Sequence, residues 1–318
     1  MTSTVPTPSP TTTPATSATS TTPATSATSV AASVAAAATT AAHPRLSLNQ
    51  ATIKYADLAT ALAVTADAGV QSIGLWREPV AEVGLDTAVR MVADSGLRVS
   101  SLCRGGFFTS PEGPVRRAAI DENRRAIAET AALGAPTLVL VAGGLPEGSR
   151  DLVGARDRVR DAIGELADEA RAAGVTLAIE PLHPMYASDR AVVSTLGQAL
   201  DIAEQFGADG VGVVVDTFHV WWDPALAAQI ARAGAGGYIA SYQVCDWATP
   251  LPADVLLARH YPGDGVIDFA AISALVTAAG YTGDVEVEIF NQAIWDAPAA
   301  DVVDRTVASF GAVVAPHL

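Results

Sequence analysis

Four apolar runs in the second half of the chain each carry an oxygen-bearing side chain close to their carboxyl end: Glu180, Asp216, Gln243 and Glu288. A carboxylate at the tip of an apolar strand is costly to bury unless it is paired, hydrogen-bonded or bound to a metal. Three carboxylates and an amide oxygen form a hard ligand set, which favours Mn²⁺, or else Mg²⁺ or Co²⁺, over a structural zinc. These residues therefore predict one divalent metal, and a hydrogen-bonded polar cap on the fold is the alternative.

The segments that must position these side chains alternate, from residue 45 onward, between short apolar runs and longer Ala-rich stretches. The predicted strands are Leu46–Ile53, Gln71–Trp76, Val99–Arg104, Thr137–Ala142, Thr176–Glu180, Gly212–Asp216, Ile239–Cys245 and Val285–Phe290. Helical spacing of apolar residues is clear in Ala118–Leu133 and Val159–Ala173. Glycines such as Gly96 and Gly174 follow these stretches and suit the left-handed residue that ends a helix.

Eight strand–helix repeats predict an α/β fold, a (β/α)8 TIM barrel over residues 45–318. An open, doubly wound sheet is the alternative, but no Gly-rich phosphate loop follows the first strand. The carboxyl ends of barrel strands meet on one face, and neighbouring strands lie about 4.8 Å apart. The four oxygen-bearing side chains should therefore converge. Glu286 points to the same side as Glu288 but lies deeper, so we favour Glu288 as the ligand.

Residues 1–44 differ in composition from the rest of the chain. They are almost entirely Thr, Ser, Ala, Pro and Val, which predicts a disordered tail, and they lack the basic start of a secretory signal. No segment approaches the ~20 apolar residues of a membrane span. The two distant cysteines, Cys103 and Cys245, suit a reducing cytoplasm. A net charge of −15 without a basic stripe opposes a nucleic-acid partner.

Several motifs in family order resemble the xylose-isomerase-like barrel superfamily, in particular its sugar isomerase and epimerase branch, which includes tagatose 3-epimerase, hydroxypyruvate isomerase and the inosose enzymes. The resemblance covers roughly residues 46–312. It rests on Glu180-Pro181, Asp216-Thr217-Phe218-His219, the Gln243–Asp246 segment, the run from Arg259 through Pro262-Gly263-Asp264-Gly265 to Ile267-Asp268-Phe269, and Glu288-Ile289-Phe290.

The resemblance implies that Glu180, Asp216, Gln243 and Glu288 bind the metal, and that Glu180 and Glu288 are the catalytic acid–base pair. Most relatives have histidine where this chain has Gln243. His219 and Arg259 match residues that contact a substrate oxygen. The implied reaction is isomerisation or epimerisation of a keto-sugar or a related polyol ketone through a cis-enediolate.

Three further side chains near strand ends are candidates for substrate contacts. Trp76 could form an aromatic wall, although aromatic residues at such positions often only pack. Arg104 could meet a hydroxyl, a carboxylate or a phosphate, or pair with a carboxylate at the rim. His183, on the loop after Glu180, either contacts the substrate or has a structural role.

Other functions of the same superfamily remain alternatives. A lyase, either a dehydratase or an enzyme that eliminates from a 3-keto-glycoside, would use the same carbanion. A non-catalytic sugar-binding barrel is a further alternative. DNA-repair endonucleases of the superfamily need a histidine-rich three-zinc cluster, whereas strands two and three here end in Trp76 and Arg104. The expected partner is a small carbohydrate, and the resemblance leaves a homo-oligomer open because relatives often pair.

Overall fold

The computed structural model describes residues 41–318. The tail predicted over residues 1–44 therefore lies outside the described residues except for its last four positions. No helix within residues 41–318 is long and apolar enough to cross a membrane. Cys103 and Cys245 are both free and buried.

Eight parallel strands form a closed barrel, which confirms the predicted (β/α)8 fold. Ten strands are present between residues 41 and 318: β1 (Leu46–Asn49), β2 (Ser72–Trp76), β3 (Arg98–Gly106), β4 (Thr137–Val141), β5 (Thr176–Glu180), β6 (Val211–Asp216), β7 (Ile239–Val244), β8 (Asp246–Trp247), β9 (Arg259–His260) and β10 (Val285–Val287). The barrel order is β1-β10-β7-β6-β5-β4-β3-β2. Apart from the partly buried Ile239, the Val, Ile and Leu side chains of these strands are buried, as expected of a sheet covered by helices.

Helices connect the strands and cover the barrel. They are α1 (Leu58–Asp67), α2 (Arg77–Val83), α3 (Leu85–Ser95), α4 (Pro114–Ala132), α5 (Leu152–Ala172), α6 (Leu196–Ala203), α7 (Thr217–Val220), α8 (Leu226–Gly236), α9 (Phe269–Ala278), α10 (Gln292–Trp295) and α11 (Ala299–Val313). The helices predicted at Ala118–Leu133 and Val159–Ala173 are α4 and α5, which begin earlier. Gly96 and Gly174 follow helices with φ of 72° and 70°, as their positions predicted.

Two of the predicted strands are shorter than expected by three residues or more. The run Leu46–Ile53 is a strand only to Asn49, because the Asn49 side chain accepts a hydrogen bond from Ala51 N and begins a 3-10 turn over Gln50–Ile53. The last run is a strand only over β10, although Glu288 N still donates to Val244 O at 3.3 Å. Glu288 therefore lies just beyond the end of its strand.

A two-stranded antiparallel hairpin of β8 and β9 lies outside the barrel and carries Arg259. The buried carboxylate of Asp246 holds its long loop, because it accepts four backbone N–H groups at 2.8–3.0 Å: those of Trp247, Gly263, Gly265 and Ile267. Sequence analysis did not predict this hairpin. Asp246 helps to position Arg259, because it belongs to the hairpin that carries Arg259 and its carboxylate holds the loop that follows.

Candidate active site

Most of the predicted site residues line one cavity at the carboxyl ends of the strands. The cavity has a volume of about 240 Å³, and the predicted residues on its surface are Trp76, Arg104, Glu180, His219, Arg259 and Glu288. Asp216 and Gln243 are opposite each other in the pairing of β6 with β7. Asp216 is joined to the lining residues by hydrogen bonds, so the structure brings eight of the nine predicted side chains to one region.

Arg259 connects two of the predicted metal ligands. Its Nη1 lies 2.9 Å from Asp216 Oδ2 and 2.9 Å from Glu288 Oε2, and all three side chains are buried. Buried charges of this kind need partners, because an isolated ion loses its hydration without compensation. A single guanidinium thus serves two carboxylates directly.

The carboxylates in this region outnumber the buried cations. Burial, followed by the charges of Glu288 and Asp216, raises the pKa of Glu180 well above its ordinary value. Burial raises the pKa of Glu288 to about 7 although Arg259 opposes the shift, and burial also raises the pKa of Asp216. The site therefore favours uptake of either protons or a cation.

The donor set fits a divalent metal. Glu180, Asp216 and His219 each place one ligand atom within 4.8 Å of the others. The Gln243 side-chain oxygen is buried and accepts no hydrogen bond from any residue between 41 and 318. A buried acceptor without a partner is costly, and a bound cation would satisfy it. Gln243 is thus suited to the ligand role that its position predicted, with oxygen in place of an imidazole nitrogen.

The hydrogen bond from the His183 backbone assigns a tautomer to His219. Its Nδ1 accepts from the His183 backbone N–H at 3.1 Å, and burial holds the pKa of the ring well below its ordinary value. The neutral ring therefore carries its proton on Nε2. Arg259 Nη2 lies 3.0 Å from that nitrogen, and a guanidinium can only donate. Two donors meet here, so an oxygen atom of a ligand could accept from both.

The His183 side chain does not line the cavity. Its ring packs near Trp222 and Trp247, with centroid distances of 5.5 Å and 5.1 Å, and its Nδ1 accepts from Met185 N. The backbone N–H of His183 donates to His219 and thereby positions the His219 ring. The direct substrate contact stays a prediction.

Glu286 and Asn49 form a buried support beneath the cavity. Asn49 Nδ2 donates to Glu286 Oε2 at 2.9 Å, and Trp76 Nε1 donates to Asn49 Oδ1 at 2.9 Å. Trp76 N also donates to Gln50 Oε1 at 3.2 Å. Glu286 is therefore a buried hydrogen-bonded group, as its depth in the strand predicted, and Trp76 is held at two points, its indole and its backbone N–H.

Sequence analysis missed several residues that line the cavity, above all Tyr186 and Arg190. Both belong to the loop after β5, which has no repeating apolar pattern. The only local signal was that the loop follows a strand whose tip carries Glu180. The Tyr186 ring packs edge-on against His219 at a centroid distance of 5.9 Å. The Arg190 guanidinium lies over the Tyr186 ring at 5.5 Å.

Comparison with known proteins gives a consistent picture. The xylose isomerase-like TIM barrel family matches residues 62–310. The L-ribulose 3-epimerase of Mesorhizobium japonicum is 30% identical over 250 residues, which cover 76% of this chain and 78% of that protein. The inosose isomerase of Halalkalibacterium halodurans is 28% identical over 156 residues, or 48% of this chain and 53% of that protein. The 3-dehydroshikimate dehydratase of Pseudomonas aeruginosa is 33% identical over 175 residues, or 52% of this chain and 26% of that protein.

Solved structures show the same barrel. Protein SMc04130 from Sinorhizobium meliloti 1021 is 50% identical and superposes with a TM-score of 0.83, covering 85% of this chain and 98% of that chain. The IOLI protein, in a structure with a binding zinc atom, is 23% identical and superposes with a TM-score of 0.75, covering 86% of this chain and 99% of that chain. The likeness to the IOLI protein shows the fold alone.

Proposed function

Because this chain belongs to the xylose isomerase-like TIM barrel family, we propose that it is a divalent-metal-dependent isomerase or epimerase of a keto-sugar or a related polyol ketone. The curated relatives include an epimerase and an isomerase of such compounds, which supports an enzyme of this kind. The observation that carries the proposal is that Glu180 and Glu288 line one cavity together with His219 and Arg259.

The residues proposed to hold the metal are Glu180, Asp216, Gln243 and Glu288. Oxygen ligands favour a hard ion, so Mn²⁺ is the first choice and Mg²⁺ and Co²⁺ are alternatives. The zinc atom bound by the IOLI protein supports a divalent ion on this fold. When bound, the ion would act as a Lewis acid that polarises the substrate carbonyl.

Glu180 and Glu288 are proposed to move the proton. One carboxylate removes the proton from the carbon next to the carbonyl, and a carboxylic acid returns a proton to the same carbon or to its neighbour. The raised pKa of each group in the metal-free protein reflects burial, which also keeps water from competing for the proton. Whether the same or the opposite glutamate returns the proton decides the configuration of the product.

His219 and Arg259 are proposed to stabilise the enediolate formed in between. His219 Nε2–H and the Arg259 guanidinium are both donors, so one substrate oxygen can accept from the two of them. Donors aimed at an oxygen that gains negative charge lower the barrier, because they are already oriented before the reaction. His183 holds the His219 ring in this orientation through its backbone N–H.

A lyase is the second candidate, and the dehydratase relative is the observation that favours it. The same carbanion would then expel a substituent from the next carbon instead of taking up a proton. The cavity volume of about 240 Å³ favours a compact substrate over a glycoside with a bulky aglycone, since drug-sized sites measure about 300–1,000 Å³.

The experiment that tests the proposal is a panel of keto-sugars, keto-inositols and 3-keto-glycosides incubated in heavy water with the Mn²⁺-loaded protein. Nuclear magnetic resonance should show deuterium entering the carbon beside the carbonyl of at least one compound. Release of water or aglycone without exchange back into the substrate would support the lyase. Neither exchange nor elimination across the panel, with metal bound, would contradict both enzymatic readings and favour a binding barrel.

A further inference from the structure

Two arginines on the cavity surface have no anionic partner within residues 41–318. Arg104 and Arg190 both line the cavity, yet neither guanidinium donates a hydrogen bond or lies within 4.0 Å of a carboxylate in that part of the chain. Arg259, by contrast, pairs with Asp216 and Glu288. The alternative that Arg104 pairs with a carboxylate at the rim is therefore not what the structure shows for the described residues.

Aromatic rings hold both guanidinium groups by their faces. The Arg104 guanidinium lies 5.4 Å from the centre of the Trp76 ring and 5.2 Å from that of Phe107. The Arg190 guanidinium lies 5.5 Å from the centre of the Tyr186 ring. Stacking on a ring leaves the N–H groups at the edge of a guanidinium free to bind a planar anion at two points.

The stacking surfaces are themselves fixed by hydrogen bonds and packing. The Trp76 indole donates to Asn49, which in turn donates to the buried Glu286. Tyr186 is buried and packs against His219. Arg104 therefore rests on a ring that cannot turn away, and this lowers the entropy lost when an anion binds.

We propose that Arg104 and Arg190 bind an anionic group, a carboxylate or a phosphate, on the substrate. The inference rests on the proposed function, because it takes the cavity to be the substrate site. The substrate would then be an acidic keto-sugar or keto-polyol, with its reacting carbons towards Glu180 and Glu288.

The charges around the cavity support an anion at this place. Among the charged groups of the cavity lining that are not buried, Arg104 and Arg190 exceed the one carboxylate, Asp189, by one positive charge, while Glu180, Glu288 and Arg259 are buried. This local excess occurs in a protein of net charge −15. A neutral sugar would leave two arginines without a partner when it excludes water from them, which is unfavourable.

The test compares matched neutral and anionic ligands of the Mn²⁺-loaded protein by isothermal titration calorimetry. The first pair is D-ribulose and D-ribulose 5-phosphate, and the second is D-fructose and D-fructuronate. At least one anionic member should bind about tenfold or more tightly than its neutral partner, the usual gain from a charge-assisted pair of hydrogen bonds. Preference confined to the first pair identifies a phosphate, and preference confined to the second identifies a carboxylate.

Substitutions then assign the preference to the two arginines. Arg104→Gln and Arg190→Gln should each reduce the anion preference about fivefold or more, while binding of the neutral member changes little. Asp189→Asn should increase the preference. Arg117→Gln, which removes an exposed arginine on α4 outside the cavity, is the matched control and should leave the preference unchanged.

Equal binding of both members of both pairs, or no binding of either anion, would overturn the inference. So would a preference that survives both arginine substitutions. These outcomes are separate from failure of the proposed function. An anion preference without deuterium exchange would contradict the proposed reaction only, and exchange into neutral sugars alone would contradict the anionic substrate only.

Discussion

Two parts of the cavity region differ in how their charges are satisfied. One part, which we call the carboxylate wall, consists of buried side chains: Glu180, Asp216, Gln243, Glu288, His219 and Arg259. Within it, Arg259 pairs with Asp216 and Glu288. The other part, the arginine wall, consists of two partly exposed arginines on aromatic rings: Arg104 lies over Trp76 and Phe107, and Arg190 lies over Tyr186.

We infer from this difference that the carboxylate wall carries out the reaction and that the arginine wall recognises the substrate. Buried charges can be held in one place only when neighbouring groups compensate them, so the carboxylate wall is rigid and each of its members depends on the others. The partly exposed arginines remain hydrated without a ligand, and they need no partner until one arrives. Changes to the first wall should abolish the reaction, whereas changes to the second should alter which molecule binds.

The largest effect is expected from Glu180→Gln and Glu288→Gln. Each substitution removes a proposed proton carrier while keeping the size of the side chain, so the rate of deuterium exchange should fall about 10²–10⁴-fold at saturating Mn²⁺. Nuclear magnetic resonance of the substrate in heavy water measures the rate. Glu286→Gln is the matched control two residues deeper, and exchange should stay within about tenfold of the original rate. Equal losses in all three variants would contradict the assignment.

The carboxylate wall is also the part of the site that sequence could predict. A polar residue at the end of an apolar strand is a local signal, and the barrel brings such ends together, as for Glu180 and Asp216. Arg190 gave no such signal because it lies in an irregular loop. The support of Arg259 by Asp246 depends on four backbone N–H groups, whose convergence is a property of the folded loop.

The barrel itself was predictable because its strands and helices repeat along the chain. The residues at which its strands and helices begin and end were harder to predict. Asn49 ends β1 by capping a turn, and nothing in the apolar run up to Ile53 signals that change. The sequence predicts either a substrate contact or a structural role for His183, and which of its groups can act depends on the packing of its ring against Trp222 and Trp247.

A second large effect is expected from Asp246→Asn, which weakens the support of the carboxylate wall. An amide can accept with its oxygen only, so about two of the four backbone N–H groups would lose their acceptor. The free energy of unfolding should fall by about 2–4 kcal/mol. Asp268→Asn is the control, because it caps α9 through one N–H and asparagine caps equally well. Thermal melting of both variants measures the loss of stability. Equal stability of the Asp246→Asn and Asp268→Asn variants would contradict the role of Asp246.

Gln243 offers a finer test of the carboxylate wall. Gln243→Leu removes the ligand oxygen and should weaken Mn²⁺ binding by about tenfold or more, since even groups around a metal's ligands are worth about 10–100-fold. Gln243→His should bind but shift the preference from Mn²⁺ towards Zn²⁺, because imidazole suits zinc. Competition between the two ions, followed by metal analysis, measures this. Unchanged Mn²⁺ affinity in the leucine variant would remove Gln243 from the ligand set.

The smallest effect is expected on the arginine wall, from Trp76→Leu. The substitution removes the ring under Arg104 but not the arginine itself. Affinity for the preferred anionic ligand should fall about two- to fivefold, the worth of one exposed cation–π contact. The rate of exchange at saturating substrate should change less than the affinity. A loss of rate comparable to that of Glu288→Gln would contradict the assignment of the reaction to the carboxylate wall and of recognition to the arginine wall.

Binding of Mn²⁺ is the most direct test of the central claim that one divalent ion is held by the carboxylate wall. The measurement is a titration followed by electron paramagnetic resonance of free Mn²⁺, on the original protein and on Asp216→Asn. The account predicts one equivalent bound by the original protein, and affinity at least about tenfold weaker in the variant. No bound Mn²⁺ in the original protein, or the same affinity in both, would contradict it.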